Sequence, residues 1–271
     1  MKRVEVVIAA RNEAERIGDT LRSLQRQTLP PSRVIVVNDG STDATGRIAR
    51  EYGCEVVELP YHASSYLGRP ELAGVFNAGL RKVSIDAEYL MILGADHPLP
   101  EDYMSRLAEA MERENVVAGS GGISNEREDT EVPRNSGMLV KADVWRRLNG
   151  MQYPLAWGYE GWLLFKLRKE GFRVRSFHGI TSSVARRTRI KGIYDGKAMY
   201  ALGYDWKFVF GRVLFNLAQP AASLSMFSGF LACCFDRSWR LNRTDVADWV
   251  NREQKRLFLK EVKKALRSAR P

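Results

Sequence analysis

A run of largely β-branched residues from Val4 to Ala9 gives way at Asn12 to a stretch, ending near Gln27, in which Ile17, Leu21 and Leu24 recur at helical spacing. The same order then returns. Val34 to Val37 reads as a strand, Asn38 to Thr42 as a loop, and the following helix stops at Gly53, after which "CEVVEL" is a third short strand. Apolar runs without alternation suit strands buried on both faces. Alternating strands and helices of these lengths specify an α/β fold with a mostly parallel sheet flanked by helices. Ligands of such sheets bind beyond the carboxyl ends of the strands. Asn12 and Glu13 follow the first strand, Asp39 the second, and Asp96 the strand "EYLMIL". Any one of these acids reads equally well as the cap of the next helix; in register at one mouth they read as a ligand site.

The charge balance suits a phosphate-bearing partner, because 42 Lys and Arg face 32 Asp and Glu, a net charge of +10. The two common glycine-rich phosphate loops are nevertheless absent. "AARNEA" stands where G-x-G-x-x-G would open a dinucleotide site, and G-x-x-x-x-G-K-[ST] does not occur. The 271 residues, 45% hydrophobic and 27% charged, suffice for one sizeable core with an added element and exclude a disordered chain. Cys54, Cys233 and Cys234 are odd in number and two are adjacent, which fits a reducing compartment and no disulfide framework. "MKRVEVVIAARNE" carries no export signal, and no aromatic-basic motif calls for nucleic acid.

Taken in order, "VVIAARNEAERIGDTLRSLQRQT", "VIVVNDGSTDAT", "NAGL" and "ILGADHPLP" resemble a family 2 glycosyltransferase of the GT-A fold, over roughly residues 3 to 190. The resemblance implies a nucleotide-sugar site built from Ala9, Arg11, Asn12, Glu13, Asp39, Gly40, Asn77, Gly79, Ala95 and Asp96. The chemistry suits the acids, since a carboxylate accepts hydrogen bonds from a base imino group or a ribose hydroxyl. The family's D-x-D, whose second acid holds Mn or Mg on the diphosphate, is half kept: Gly94 replaces the first acid and Asp96 is the second. A hard cation takes several oxygens from the diphosphate itself, so one protein carboxylate can suffice if another side chain helps. His178 matches a histidine that supplies such a ligand in relatives, and His97 is the weaker alternative.

"WGYEGWLLFKLRKEGFRV" resembles the family's E-D-x-x-L-x-x-R-L-x-x-x-G segment when Gly171 takes its final glycine, which places Glu160 on the catalytic base of an inverting transfer. The bland reading makes Glu160 an acid at a helix N-terminus. Trp157, Tyr159 and Trp162 are assigned to the acceptor side, as are Arg186, Arg187 and Arg189, where relatives acting on polyprenyl phosphates carry basic residues. A phosphate acceptor is already ionised and needs Glu160 less, so the acceptor stays open between a polyprenyl phosphate and a glycolipid hydroxyl. Similarity to dolichyl-phosphate mannose synthases implies GDP-mannose as donor. A UDP-sugar enzyme of the same fold, or a catalytically impaired membrane-binding relative, is the alternative.

After Gly192 the character changes, and no charge occurs between Arg212 and Asp236. The length would span a bilayer. However, Asp205, Arg212, Asn216 and Gln219 recur as one polar stripe, and Pro220 divides the run. The expectation is therefore a catalytic domain over 1–191 and, over 192–271, an amphipathic helical extension. It would lie on the membrane surface with Trp206, Phe208, Phe210 and Phe215 toward lipid and the basic segment from Arg237 to Arg270 on anionic headgroups. The alternative buries these helices on the catalytic domain or in a homo-oligomer. Peripheral association with the cytoplasmic face of the cell membrane follows from the first.

Overall fold

A computed structural model describes residues 2–124, 133–184, 192–215, 220–235 and 244–256. In chain order the elements are β1 (Val4–Ala10), α1 (Ile17–Gln25), β2 (Arg33–Asp39), α2 (Thr45–Glu51), β3 (Glu55–Leu59), α3 (Glu71–Leu80), β4 (Tyr89–Gly94) and α4 (Tyr103–Arg113). They continue with β5 (Ala118–Ile123), β6 (Met138–Lys141), α5 (Ala142–Asn149), α6 (Tyr159–Lys169), β7 (Val174–Ser182), α7 (Ile193–Ala201), α8 (Trp206–Phe215) and α9 (Pro220–Phe235). The strands form one seven-stranded sheet in the order β3-β2-β1-β4-β6-β5-β7. β1 runs parallel to β2 and β4, and β2 to β3, whereas β6 is antiparallel to both of its neighbours. The mostly parallel α/β sheet expected from the sequence is therefore present.

The helical spacing of α1 has a direct structural meaning, because Ile17, Leu21 and Leu24 are all buried in one core with Val4, Val6 and Ile8 of β1 and Met104, Leu107 and Met111 of α4. On the other face of the sheet, α3 lies close enough that a Cβ on Gly79 would stand 2.7 Å from Val7 Cγ1 and 2.8 Å from Val37 Cγ2. Helix and sheet approach there at glycine distance.

The chain divides into two compact units, and the division differs from a cut at 191. The first contains Met1–Ser65, Leu72–Tyr153 and Glu170–Thr188, and the second contains Tyr66–Glu71, Pro154–Lys169 and Arg189–Pro271. The second unit thus includes α6, with its Glu160, beside the tail helices. Within it Met199, Tyr200, Val209, Met226, Phe230 and Cys233 form a small core. Pro220 opens α9 at the first helical position, where the missing N–H has no intrahelical partner to lose. No described helix is long and apolar enough to cross a membrane.

Candidate active site

In the first unit the carboxyl ends of β1, β2 and β4 lie side by side, with Ala10 opposite Asn38 and the half-buried Ala9 opposite Gly94. The loops that leave them are latched together. Asn12, at φ 51°, donates its N–H to Ser41 Oγ (3.0 Å), and its Oδ1 accepts from the Thr42 N–H (2.8 Å). Glu13 donates its N–H to Thr45 Oγ1 (2.8 Å). Asp43 accepts from Thr45 Oγ1 and from the N–H groups of Thr45 and Ala14; burial pushes its carboxyl up, but these hydrogen bonds together outweigh it and hold the carboxyl below its ordinary value.

Asp39 is buried at the end of β2, and its Oδ1 is 3.0 Å from His62 Nε2. Arg11 donates from Nη1 to the Asp39 carbonyl (2.6 Å) and from Nη2 to the His62 carbonyl. Gly40 permits this closure. Its φ is +60°, and a Cβ there would stand 2.6 Å from Pro60 O. His62 was not among the residues singled out from sequence. The signal was available, because His62 follows β3 while Asp39 ends β2, and the strand-end rule applies to every parallel strand.

Asp96 is half-buried in the loop leaving β4. Ala95, beside it, is buried, and its carbonyl accepts from Thr20 Oγ1 (2.8 Å). His97 points inward and is 1% exposed, with Nδ1 2.7 Å from Ser136 Oγ and Nε2 2.8 Å from Ser182 Oγ. Burial lowers its pKa to about 4. Gly94 donates its N–H to the same Ser136 Oγ (2.8 Å), and a Cβ at 94 would be 3.1 Å from that oxygen and 3.3 Å from Asp96 Oδ1. Ser136 thus crowds the space into which an acid at position 94 would grow.

His178 is an exposed residue within β7 and lines a surface depression with Arg106, Arg113 and Arg175. Among the described residues no group of three His, Cys, Asp or Glu side chains is arranged to hold a metal. Asp96 alone fits a hard divalent cation only where a diphosphate supplies most of the other oxygens.

Asn77 and Gly79, expected near the donor, make contacts within the scaffold. Asn77 is buried, donating to the Tyr153 carbonyl (2.8 Å) and accepting from the Tyr153 N–H (2.7 Å). Gly79 serves the packing of α3 on the sheet. Both position the scaffold beneath the site.

In the second unit Glu160 stands in the first turn of α6, exposed, and Tyr159 Oη donates to its Oε1 (3.1 Å). Trp162 is buried and its Nε1 donates to Asp245 Oδ1 (2.6 Å), while Lys166 donates to Oδ2 (2.7 Å). Burial raises the Asp245 carboxyl, but these bonds and the charges of Lys166 and Lys169 outweigh it and hold it below its ordinary value. Trp157 is buried 5.2 Å from the Tyr194 ring with Lys197 Nζ 5.0 Å above it. The two tryptophans expected on the acceptor side therefore form internal contacts of this unit. Arg186, Arg187, Arg189, Asn216 and Gln219 lie outside the described residues, as does most of the stretch from Arg237 to Arg270.

Residues 5–180 match the family described as "Glycosyl transferase family 2". A 4,4'-diaponeurosporenoate glycosyltransferase of Staphylococcus aureus is 52% identical over 58 residues, 21% of this chain and only 15% of that protein's length. Among solved structures, the mannosyltransferase PcManGT of Pyrobaculum calidifontis, in complex with GDP-Man and Mn2+, is similar at TM-score 0.61 and 19% identity over 86% of this chain and 75% of that one. TarS 1–349 of S. aureus in complex with UDP-GlcNAc is similar at TM-score 0.56 and 16% identity, over 88% and 74%. At these identities the structures establish a shared fold.

Proposed function

The chain belongs to glycosyl transferase family 2, and on that premise we propose that it moves a hexose, best mannose from GDP-mannose, to a membrane lipid or lipid-linked glycan with inversion at the anomeric carbon. The observation that carries the donor half is the meeting of Arg11, Asp39 and the Asp96 loop at adjacent strand ends. Asp39 offers an acceptor and Arg11 a donor to the edge of a base. Asp96 is the carboxylate that would hold Mn or Mg on the diphosphate, where such an ion supplies neutralisation of the leaving charge. Glu160 is assigned the acceptor proton by its place in the motif. The complex of PcManGT with GDP-Man and Mn2+ favours this donor, and that of TarS with UDP-GlcNAc supports a UDP-sugar as the second reading.

The acceptor half rests on the second unit. Trp206, Phe208, Phe210, Leu224 and Phe235 are 54%, 40%, 42%, 60% and 83% exposed, and α9 carries no charge. Exposed aromatics on short helices of a basic chain suit the interface of an anionic membrane. The relative named for diaponeurosporenoate points to an apolar acceptor of the same general kind.

Calorimetric titration with GDP, GDP-mannose, UDP and UDP-glucose, first with Mn and then with chelator, tests the donor. Metal-dependent binding of the guanine pair is expected. Selective binding of the uridine pair moves the assignment to a UDP-sugar, and no binding of any of the four overturns the transferase reading.

A further inference from the structure

Asp39 is the acid that the nucleotide-sugar reading needs open to a ligand, yet its side chain is only 5% exposed, with His62 Nε2 3.0 Å from its Oδ1. His62 Nδ1 is 2.5 Å from the Ser64 carbonyl, which can only accept, so Nδ1 carries a proton. Nε2 is then left between Asp39 Oδ1 at 3.0 Å, which accepts, and Arg11 Nη1 at 2.8 Å, which donates. A protonated Nε2 bonds Asp39 and confronts the Arg11 cation. An unprotonated Nε2 accepts from Arg11 and turns a lone pair toward the carboxylate. One of the two contacts is mismatched in either form, so the ring covers Asp39 without satisfying both neighbours. The segment over 60–65 contains no helix or strand, and Tyr61 is 68% exposed, so moving it disturbs no regular element.

We propose that His62 is a built-in competitor for the nucleobase. A base whose edge presents an N–H beside a carbonyl resolves the mismatch, giving its N–H to Asp39 and its oxygen to Arg11. Binding of the donor thus requires the ring to leave Asp39, and a base that replaces only one of the two contacts does so poorly. His62 acts on affinity and on the choice of base, and this role rests on the nucleotide-sugar reading given above.

The test uses the full chain, whose three histidines simplify ring nitrogen-15 spectra, with GDP, UDP and CDP as probes in the presence of Mg, which is diamagnetic and leaves the signals sharp. Saturating nucleotide is expected to shift the His62 ring signals, assigned by their loss in His62→Gln, while the buried His97 signals stay in place. His62→Ala is expected to bind the preferred nucleotide about tenfold more tightly than the parent, the scale of one exchanged contact, and to discriminate less against CDP, whose base has no N–H beside a carbonyl. Equal or weaker binding by His62→Ala, or a His62 ring unmoved when the parent is saturated, overturns the competitor and leaves the transferase reading intact. If His62→Ala melts early, the ring signals of the parent decide alone. Absence of nucleotide binding by parent and variant overturns both.

Discussion

His97 Nε2 lies 2.8 Å from Ser182 Oγ, tying the loop that carries Asp96 to the end of β7. Burial holds the ring neutral, with a pKa of about 4 against an ordinary 6.5; nearby Asp96 raises it and Arg134 lowers it further. The folded state therefore binds fewer protons than the unfolded state between those values. This contribution is fully present above pH 6.5 and is lost as pH falls toward 4, on the order of 3 kcal/mol in all. The melting temperature of the parent should fall over this window more steeply than that of His97→Gln. Parallel pH profiles would contradict a neutral, buried His97.

Asn77 joins α3 to the backbone of Tyr153 by two hydrogen bonds. Asn77→Ala leaves a buried N–H and carbonyl without that partner and should lower stability by about 2 to 4 kcal/mol in urea melts. Nucleotide affinity of the folded fraction should stay within about twofold, since a mutation that only loosens the scaffold changes the folded fraction and not the ligand contacts. A large loss of affinity at unchanged stability would return Asn77 to the donor contacts.

The sheet was legible where strands are β-branched runs and helices show clean spacing, as in β1 and α1. β5 was not, because AGSGGI lacks the residues that mark a strand even though every one of its positions is buried. At the site, position along the chain was readable and orientation was not. Asn77 and Gly79 fall where the motif puts them, but the turn of α3 directs them inward. Trp162 illustrates the same limit, since its partner Asp245 is 83 residues away in sequence. The place of His62 after β3 was open to the strand-end rule, but its contact with Asp39 required knowing that Gly40 lets the loop after β3 close.

The exposed aromatic residues of α8 predict vesicle binding. Replacing Trp206, Phe208 and Phe210 together by Ser should reduce cosedimentation with anionic vesicles by roughly tenfold or more, because each ring contributes apolar area to the interface. Far-ultraviolet circular dichroism confirms that the helices persist. Undiminished binding would show that this face does not meet lipid.

Asp96→Ala should abolish the part of nucleotide-sugar binding that chelator removes from the parent, leaving any metal-independent component at its parent strength. The half-buried carboxylate is the acid retained at this position, because Gly94 has none. A variant with the full metal response of the parent would move the cation elsewhere.

Glu160→Gln separates the two acceptor classes. The substitution preserves size and can keep the contact from Tyr159 Oη, but an amide does not take a proton. For a hydroxyl acceptor, loss of the general base should lower kcat by about 10² to 10⁴ with donor affinity unchanged. A phosphate acceptor has already lost its proton at neutral pH, and for it the neutral side chain removes a repulsive charge, so kcat should hold or rise. Measuring one variant against a glycolipid and a polyprenyl phosphate therefore reads the acceptor class from the sign of the change. Equal, small changes with both acceptors would remove Glu160 from the chemistry and leave it as the acid in the first turn of α6.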